Sequence, residues 1–147
     1  MYTFIQKFHS GWAYLALLLI VVAIVNSIVG LSRKKEFSNN DRKMGLFALV
    51  FAHIQLLVGL VLYFISPKGY PLIGSAGMSA VMKAAELRLT VVEHPVVNML
   101  AIVFITIGWS KHKKASTSEG KFKSIAVFYA IGLVLLLSRI PWQSWLQ

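Results

Sequence analysis

The segment GLFALVFAHIQLLVGLVLYFI, residues 45–65, is apolar along its length except at His53 and Gln55. Its length matches the roughly 20 residues that an α-helix needs to cross the hydrocarbon core of a bilayer. A helix is predicted because a strand in lipid would leave its backbone polar groups without partners. His53 lies near the middle of the segment. An imidazole in hydrocarbon needs a partner, so His53 marks a candidate site.

Three further stretches have the same apolar character, so the sequence predicts four membrane spans, at residues 12–31, 44–65, 89–109 and 125–142. The composition agrees, with 57% hydrophobic residues and a mean hydropathy of +0.70. We expect a single domain over residues 1–147, an all-α membrane protein folded as a four-transmembrane-helix bundle. The outer connection, residues 66–88, begins with a turn-rich part, and its second part is predicted to form a short interfacial helix.

The net charge of +10 is unevenly distributed. Most basic residues fall in two loops, 33–43 and 111–123, which follow the first and third spans. The positive-inside rule places both loops in the cytoplasm and both termini on the outer, non-cytoplasmic side. Contact with anionic lipid headgroups explains this pattern. We therefore predict the lipid bilayer as a partner and no nucleic acid.

The absence of cysteine excludes disulfides, thiolate metal sites and covalent haem attachment. No HExxH, phosphate-loop or nucleophile-elbow pattern is present, so nothing in the sequence indicates a hydrolase. Histidine is therefore the residue type that carries the candidate chemistry.

The four histidines differ in their predicted surroundings. His53 has two open interpretations: a metal ligand, or a ring that bonds across the bundle to Asn26 or Asn98. His112 lies in the basic cluster 111–114 and is predicted to be solvated, without a site role.

His9 and His94 are both predicted to lie near the outer boundary. Pro95 biases His94 away from helical geometry, so the third helix is expected to begin or kink there. Asn98 could orient the His94 ring, as hydrogen-bonding partners do for ligating histidines. Arg88 and Arg139, on the same side, could pair with carboxylates such as haem propionates or act as interfacial anchors.

Depth distinguishes the possible pairs of ligands. At 1.5 Å per residue, His53 lies roughly 13 Å and His94 about 22 Å above the inner boundary. Two ligands of one metal should lie at similar heights, so the mismatch of about 9 Å counts against a His53/His94 pair. His9/His94 is the competing pair, and spacing alone leaves both pairs open.

Several short motifs resemble those of small four-span bacterial membrane proteins described as cytochrome B-like. They are His9-Ser10-Gly11, HIQLLVGL at 53–60, Glu93-His94 and Ile140-Pro141-Trp142. The resemblance extends over essentially the whole chain. It implies a non-covalent haem b held between transmembrane histidines in the bacterial cytoplasmic membrane, with His9, His53 and His94 as candidate iron ligands. It also implies electron transfer, with quinol or respiratory-chain membrane subunits as partners, by a carrier or accessory subunit rather than a stand-alone enzyme.

Two other functions remain open at this point. One is a cofactor-free structural or accessory subunit of a membrane complex, in which the histidines only bond helices together. The other is a metal- or proton-handling membrane protein that uses His9, His94 and Glu93 near the outer face.

Overall fold

A computed structural model describes residues 1–145 of the chain. These residues form helices and connecting turns, without a strand among them. In chain order the helices are α1 (Tyr2–Ser32), α2 (Asn39–Ile65), α3 (Tyr70–Ala76), α4 (Met78–Lys83), α5 (Ala85–Arg88), a π-helical turn (Leu89–Glu93), α6 (His94–Lys114), α7 (Ser118–Ser138) and α8 (Trp142–Trp145). The π-helical turn joins α5 directly to α6.

Four helical segments are long and apolar enough to cross a membrane, which confirms the predicted all-α class with four such helices. Their bounds differ from the predicted spans at several ends: α2 begins at Asn39, α6 ends at Lys114 and α7 begins at Ser118. α1 begins at Tyr2, well before residue 12, because polar residues lower hydropathy without interrupting backbone hydrogen bonds. α7 ends at Ser138 rather than at residue 142. Pro141 lacks an N–H and disfavours helical geometry at the residue before it, so the helix stops short.

The four long helices form an antiparallel bundle. α1 packs beside α2 and α7, and α6 packs beside the same two helices, so α1 and α6 lie diagonally opposite. We call the end with Tyr2, Ile65, His94 and Ser138 the terminal end. The opposite end, which carries the loops 33–38 and 115–117, is the basic end.

Small residues bring α6 and α7 close together. A Cβ added at Gly132 would lie 2.6 Å from Ile105 Cγ1 and 3.1 Å from the Ala101 carbonyl oxygen. Such spacing leaves no room for a side chain, so the glycine is what allows this approach of the helices. On α7, the Tyr129 hydroxyl donates to the Gly45 carbonyl at 2.8 Å and ties the buried centre of the bundle to α2.

His112 at the basic end is buried, with 1% of its surface exposed, and the prediction that it is solvated was wrong. Its Nδ1 lies 2.6 Å from the Trp109 carbonyl oxygen, and its ring packs against Phe37. The Phe37 N–H donates to Ser118 Oγ at 2.9 Å, which folds the loop 33–38 back over α6 and α7. This long-range contact covers His112 and could not be read from its basic neighbours in sequence.

Candidate functional site

His9 of α1 and His94 of α6 meet across the diagonal of the bundle at its terminal end. Their ring centroids lie 6.3 Å apart and the ring planes make an angle of 79°. Both side chains are half-buried. The structure therefore brings together two imidazoles from helices that do not pack side by side.

The end of α7 orients the His94 ring. Its Nδ1 lies 2.7 Å from the Arg139 carbonyl oxygen, which is left without a helical partner because α7 ends at Ser138. A carbonyl can only accept, so Nδ1 carries the hydrogen and, in the neutral ring, Nε2 carries the lone pair. Asn98 Nδ2 lies 3.2 Å from both ring nitrogens and therefore over the ring face, since an equidistant in-plane position would collide with Cε1.

The π-helical turn directly precedes His94, where α6 was expected to begin or kink; the His94 backbone itself is helical (φ −58°, ψ −53°), so the predicted departure of His94 from helical geometry was wrong. The His94 N–H bonds to the Leu89 carbonyl, one residue further back than in an α-helix. Glu93, at the end of this turn, accepts from Arg88 Nε at 2.8 Å and pairs with Arg139 Nε at 3.3 Å. The Arg139 pair connects the start of α6 to the end of α7 next to His94, and the Arg88 pair braces the π-helical turn against α5.

Two residues of α2, one helical turn apart, hold the His9 ring in place. Gln55 Nε2 donates to the His9 carbonyl at 3.0 Å and lies 3.4 Å from His9 Nε2. Gly59 leaves the space that the ring fills, because a Cβ there would lie 3.0 Å from His9 Cε1. Neither Gln55 nor Gly59 was among the predicted site residues. Their i, i+4 spacing within an apolar helix is the signal that could have paired them.

Three buried polar atoms at this place have no hydrogen-bond partner among residues 1–145: His9 Nδ1, Gln55 Oε1 and Asn98 Oδ1. They come from three different helices, and all three residues line the same cavity. Buried polar groups are normally paired with protein, water or a ligand. The three atoms therefore lack the partners that buried polar groups usually have, and all of them belong to residues that line one cavity.

The cavity has a volume of about 250 Å³ and is lined by both histidines. Along α1 it extends from Tyr2 to Ile20, a rise of about 27 Å at 1.5 Å per residue. Its deep part is apolar and is lined by the small side chains of Ala13, Ala16 and Ala52 and by the larger ones of Ile20, Leu56 and Ile102. Its terminal part contains the polar side chains of Tyr2, Ser66, Lys68 and Thr90 beside apolar ones such as Ile140 and Pro141. The histidine pair lies between the two parts.

Of the remaining predicted site residues, one lines the cavity and two do not. Asn98 lines the cavity beside His94. Arg88 and Arg139 are outside its lining and instead pair with Glu93.

His53 is placed apart from the other two histidines. Its Nδ1 lies 2.8 Å from the Leu49 carbonyl oxygen, and its Nε2 lies 3.4 Å from Thr106 Oγ1 on α6. Thr106 follows His94 by twelve residues (106 − 94), or about 18 Å along the helix. Asn26, considered as a partner of His53, instead donates to Asp41 at 2.9 Å.

Within residues 1–145, no group of three or more His, Cys, Asp or Glu side chains is arranged to hold a metal ion. Glu93, which the metal interpretation would add to the two histidines, is occupied by its arginine partners.

Comparison of the chain with protein-family models, curated proteins and solved structures finds no match.

Proposed function

We propose that this protein is a membrane b-type cytochrome that transfers electrons through a non-covalent haem b held by His9 and His94. The observation that carries the proposal is the pair of imidazoles, 6.3 Å apart between centroids, in the lining of one cavity. Two metal–nitrogen bonds of about 2 Å each, plus roughly 1 Å from each nitrogen to its ring centre, give about 6 Å. The separation therefore suits one metal ion between the rings.

A haem fits the donor set better than a bare metal ion. The porphyrin supplies four nitrogens, so the protein needs to add only two ligands, and two histidines are what the cavity offers. The apolar deep part of the cavity matches the hydrocarbon edge of a haem, and the polar side chains of its terminal part match the carboxylate edge. When bound, haem supplies one-electron redox chemistry, whose potential depends on ligand identity, hydrogen bonding and burial.

The side chains of this protein position the two ligands. The Arg139 carbonyl fixes the tautomer and the rotation of His94, in the way that outer-shell partners commonly orient ligating histidines. Gln55 and Gly59 set the position of His9 from the neighbouring helix. The apolar side chains of the deep part exclude water from that side of the cavity.

Binding also requires a local rearrangement. The cavity volume of about 250 Å³ lies just below the roughly 300 Å³ at which ligand pockets usually begin. Gln55 Nε2 lies 3.4 Å from His9 Nε2, whereas Asn98 lies over the face of the His94 ring. Gln55 must turn aside for a macrocycle to reach His9 Nε2, and its unpaired Oε1 shows that the side chain is not held by a complete set of hydrogen bonds.

The electron partner in this proposal is a quinol or a respiratory-chain membrane subunit of the bacterial cytoplasmic membrane. The support is the position of the histidine pair between helices that are apolar enough to lie in a bilayer, where an apolar redox partner dissolves. His53 has a structural role in this proposal, joining α2 to α6 through Thr106.

The test is the absorption spectrum of protein purified from haem-replete cells, oxidised and then reduced with dithionite. We expect a Soret band in the wild type, its loss in His9→Ala and His94→Ala, and its retention in the control His53→Ala. The control removes an equally half-buried imidazole that lies outside the cavity. A wild-type protein without haem would overturn the proposal and favour the cofactor-free accessory subunit. Loss of haem in His53→Ala alone would overturn the choice of ligands.

A further inference from the structure

We infer that Lys68, together with the hydroxyl groups of Tyr2 and Ser66, forms a carboxylate-binding subsite at the terminal end of the cavity. The inference rests on the proposed function, because the carboxylate is taken to be a propionate of the bound haem. It replaces the expectation that Arg88 and Arg139 bind the propionates.

The charge of the cavity favours an anion at this end. Within the part of the chain that the structure describes, Lys68 is the one charged side chain in the lining, and no Asp or Glu contributes to it. The lysine is exposed, whereas the deep part of the cavity is closed by buried residues such as Ile20. An anionic group is therefore attracted to the open end and disfavoured in the deep part.

The hydrogen bonds around Ser66 leave the Tyr2 hydroxyl free to donate to an anion. Ser66 Oγ accepts from the Lys68 N–H at 3.1 Å and donates to the Tyr2 hydroxyl at 3.4 Å. The Tyr2 oxygen acts as an acceptor in this chain, so its own O–H remains available to a carboxylate beside the Lys68 ammonium. Ser66 is buried, and the Gly69 N–H donates to its carbonyl at 3.0 Å, which fixes the turn that carries Lys68.

The subsite lies at a suitable distance from the histidine pair. Tyr2 precedes His9 by seven residues (9 − 2), and Ser66 follows Gly59 by seven (66 − 59). Each interval is about 10 Å along its helix. This is the scale on which a haem carboxylate is separated from the iron, so one molecule can reach both places.

Arg88 and Arg139 both form ion pairs with Glu93. Glu93 accepts from Arg88 Nε at 2.8 Å, and its other oxygen lies 3.3 Å from Arg139 Nε. Moving either arginine to a propionate would break an ion pair with Glu93, and for Arg139 this is the pair that joins the start of α6 to the end of α7. Lys68 has no such competing partner among residues 1–145.

The experiment compares haem with haem dimethyl ester, in which both carboxylates are blocked. Full-length protein made under haem limitation is titrated in detergent with each compound, and binding is followed by the Soret band. For Lys68→Gln we expect about a tenfold loss of haem affinity, with ester affinity unchanged, since a charge-assisted hydrogen bond is lost only where a carboxylate exists. Lys68→Arg should restore haem binding. The matched control is Lys83→Gln, an exposed lysine of α4 outside the cavity.

The outcomes separate this inference from the proposed function. Wild-type protein that binds neither compound would overturn both. Wild-type protein that binds haem would support the proposed function, and the inference would then fail in either of two cases. One is that Lys68→Gln changes haem and ester affinity equally or not at all; the other is that Arg139→Gln produces the selective loss.

Discussion

Gly59 determines how closely His9 can approach α2. A Cβ at this position would lie 3.0 Å from His9 Cε1 and 3.5 Å from Nδ1, so a methyl group displaces the ring by a few tenths of an ångström. Alanine itself stabilises a helix by up to about 1 kcal/mol relative to glycine. For Gly59→Ala we therefore expect a several-fold loss of haem affinity without a loss of thermal stability, measured by haem titration and thermal unfolding.

The matched control for this prediction is Gly11→Ala on α1. A Cβ at Gly11 would meet no atom within 4 Å, so this variant receives the same gain in helix propensity without a clash. Its haem affinity should equal that of the wild type. Equal affinities for the two variants would show that Gly59 does not position His9.

For single residues, spacing in the sequence predicts the height of a side chain along its own helix. It does not predict which residues of other helices that side chain contacts. The predicted mismatch in height between His53 and His94 agrees with their separate locations, because rise per residue is a local property of the helix. The pairing of His9 with His94 depends on which helices lie diagonally opposite, which spacing does not specify. Gln55 was missed for the same reason, since its contact with His9 crosses from α2 to α1.

Between elements, Gly132 sets the distance from α7 to α6. An alanine methyl there would lie 2.6 Å from Ile105 Cγ1 and 3.1 Å from the Ala101 carbonyl, so relief requires the backbones to separate. For Gly132→Ala we expect a loss of about 1–3 kcal/mol in unfolding free energy. Thermal unfolding in detergent, followed by circular dichroism, measures the change.

Gly74→Ala on α3 is the control for Gly132→Ala, because a Cβ at Gly74 meets no atom within 4 Å. Its stability should equal or exceed that of the wild type. A wild-type melting temperature for Gly132→Ala would contradict the tight packing of α6 on α7.

The helices were predictable wherever an apolar run determined them, and less so at their ends. Residues 45–65 form the main part of α2, as lipid-compatible hydropathy requires. The first ten residues of the chain hold His9 and were left out of the first span because Gln6 and Lys7 lower hydropathy there. Helix formation depends on backbone hydrogen bonds, so the structure extends α1 through them.

For the whole molecule, the buried carboxylate of Asp41 links stability to pH. Asp41 lies in the first turn of α2, before the apolar run, and joins α1, the loop 33–38 and α2 through Asn26, Lys35 and Ser38. Burial raises the pKa of Asp41, but hydrogen bonds from Ser38, Lys35 and Asn26 outweigh it and hold the pKa below its ordinary value. The resulting stability is complete above the unfolded pKa of about 3.9 and is lost as the pH falls through the folded pKa.

We therefore expect the melting temperature of the wild type to fall once the pH drops below about 4. Asp41→Asn should be less stable at pH 7, by roughly 1–3 kcal/mol, and should show a smaller decrease in acid. The control is Glu119→Gln, an exposed carboxylate at the start of α7, which should keep the wild-type pH profile. Parallel pH profiles for wild type and Asp41→Asn would rule out this role.

The diagonal placement of the two histidines has a consequence for biogenesis. His9 belongs to the first long helix to be synthesised and His94 to the third, and these helices do not pack side by side. Under the proposed function, the two ligands come together only once the third long helix has inserted, so haem loading would follow membrane insertion rather than accompany it. A bound haem would then link α1 to α6 across the bundle. Only chains in which both helices have assembled correctly would be able to bind it.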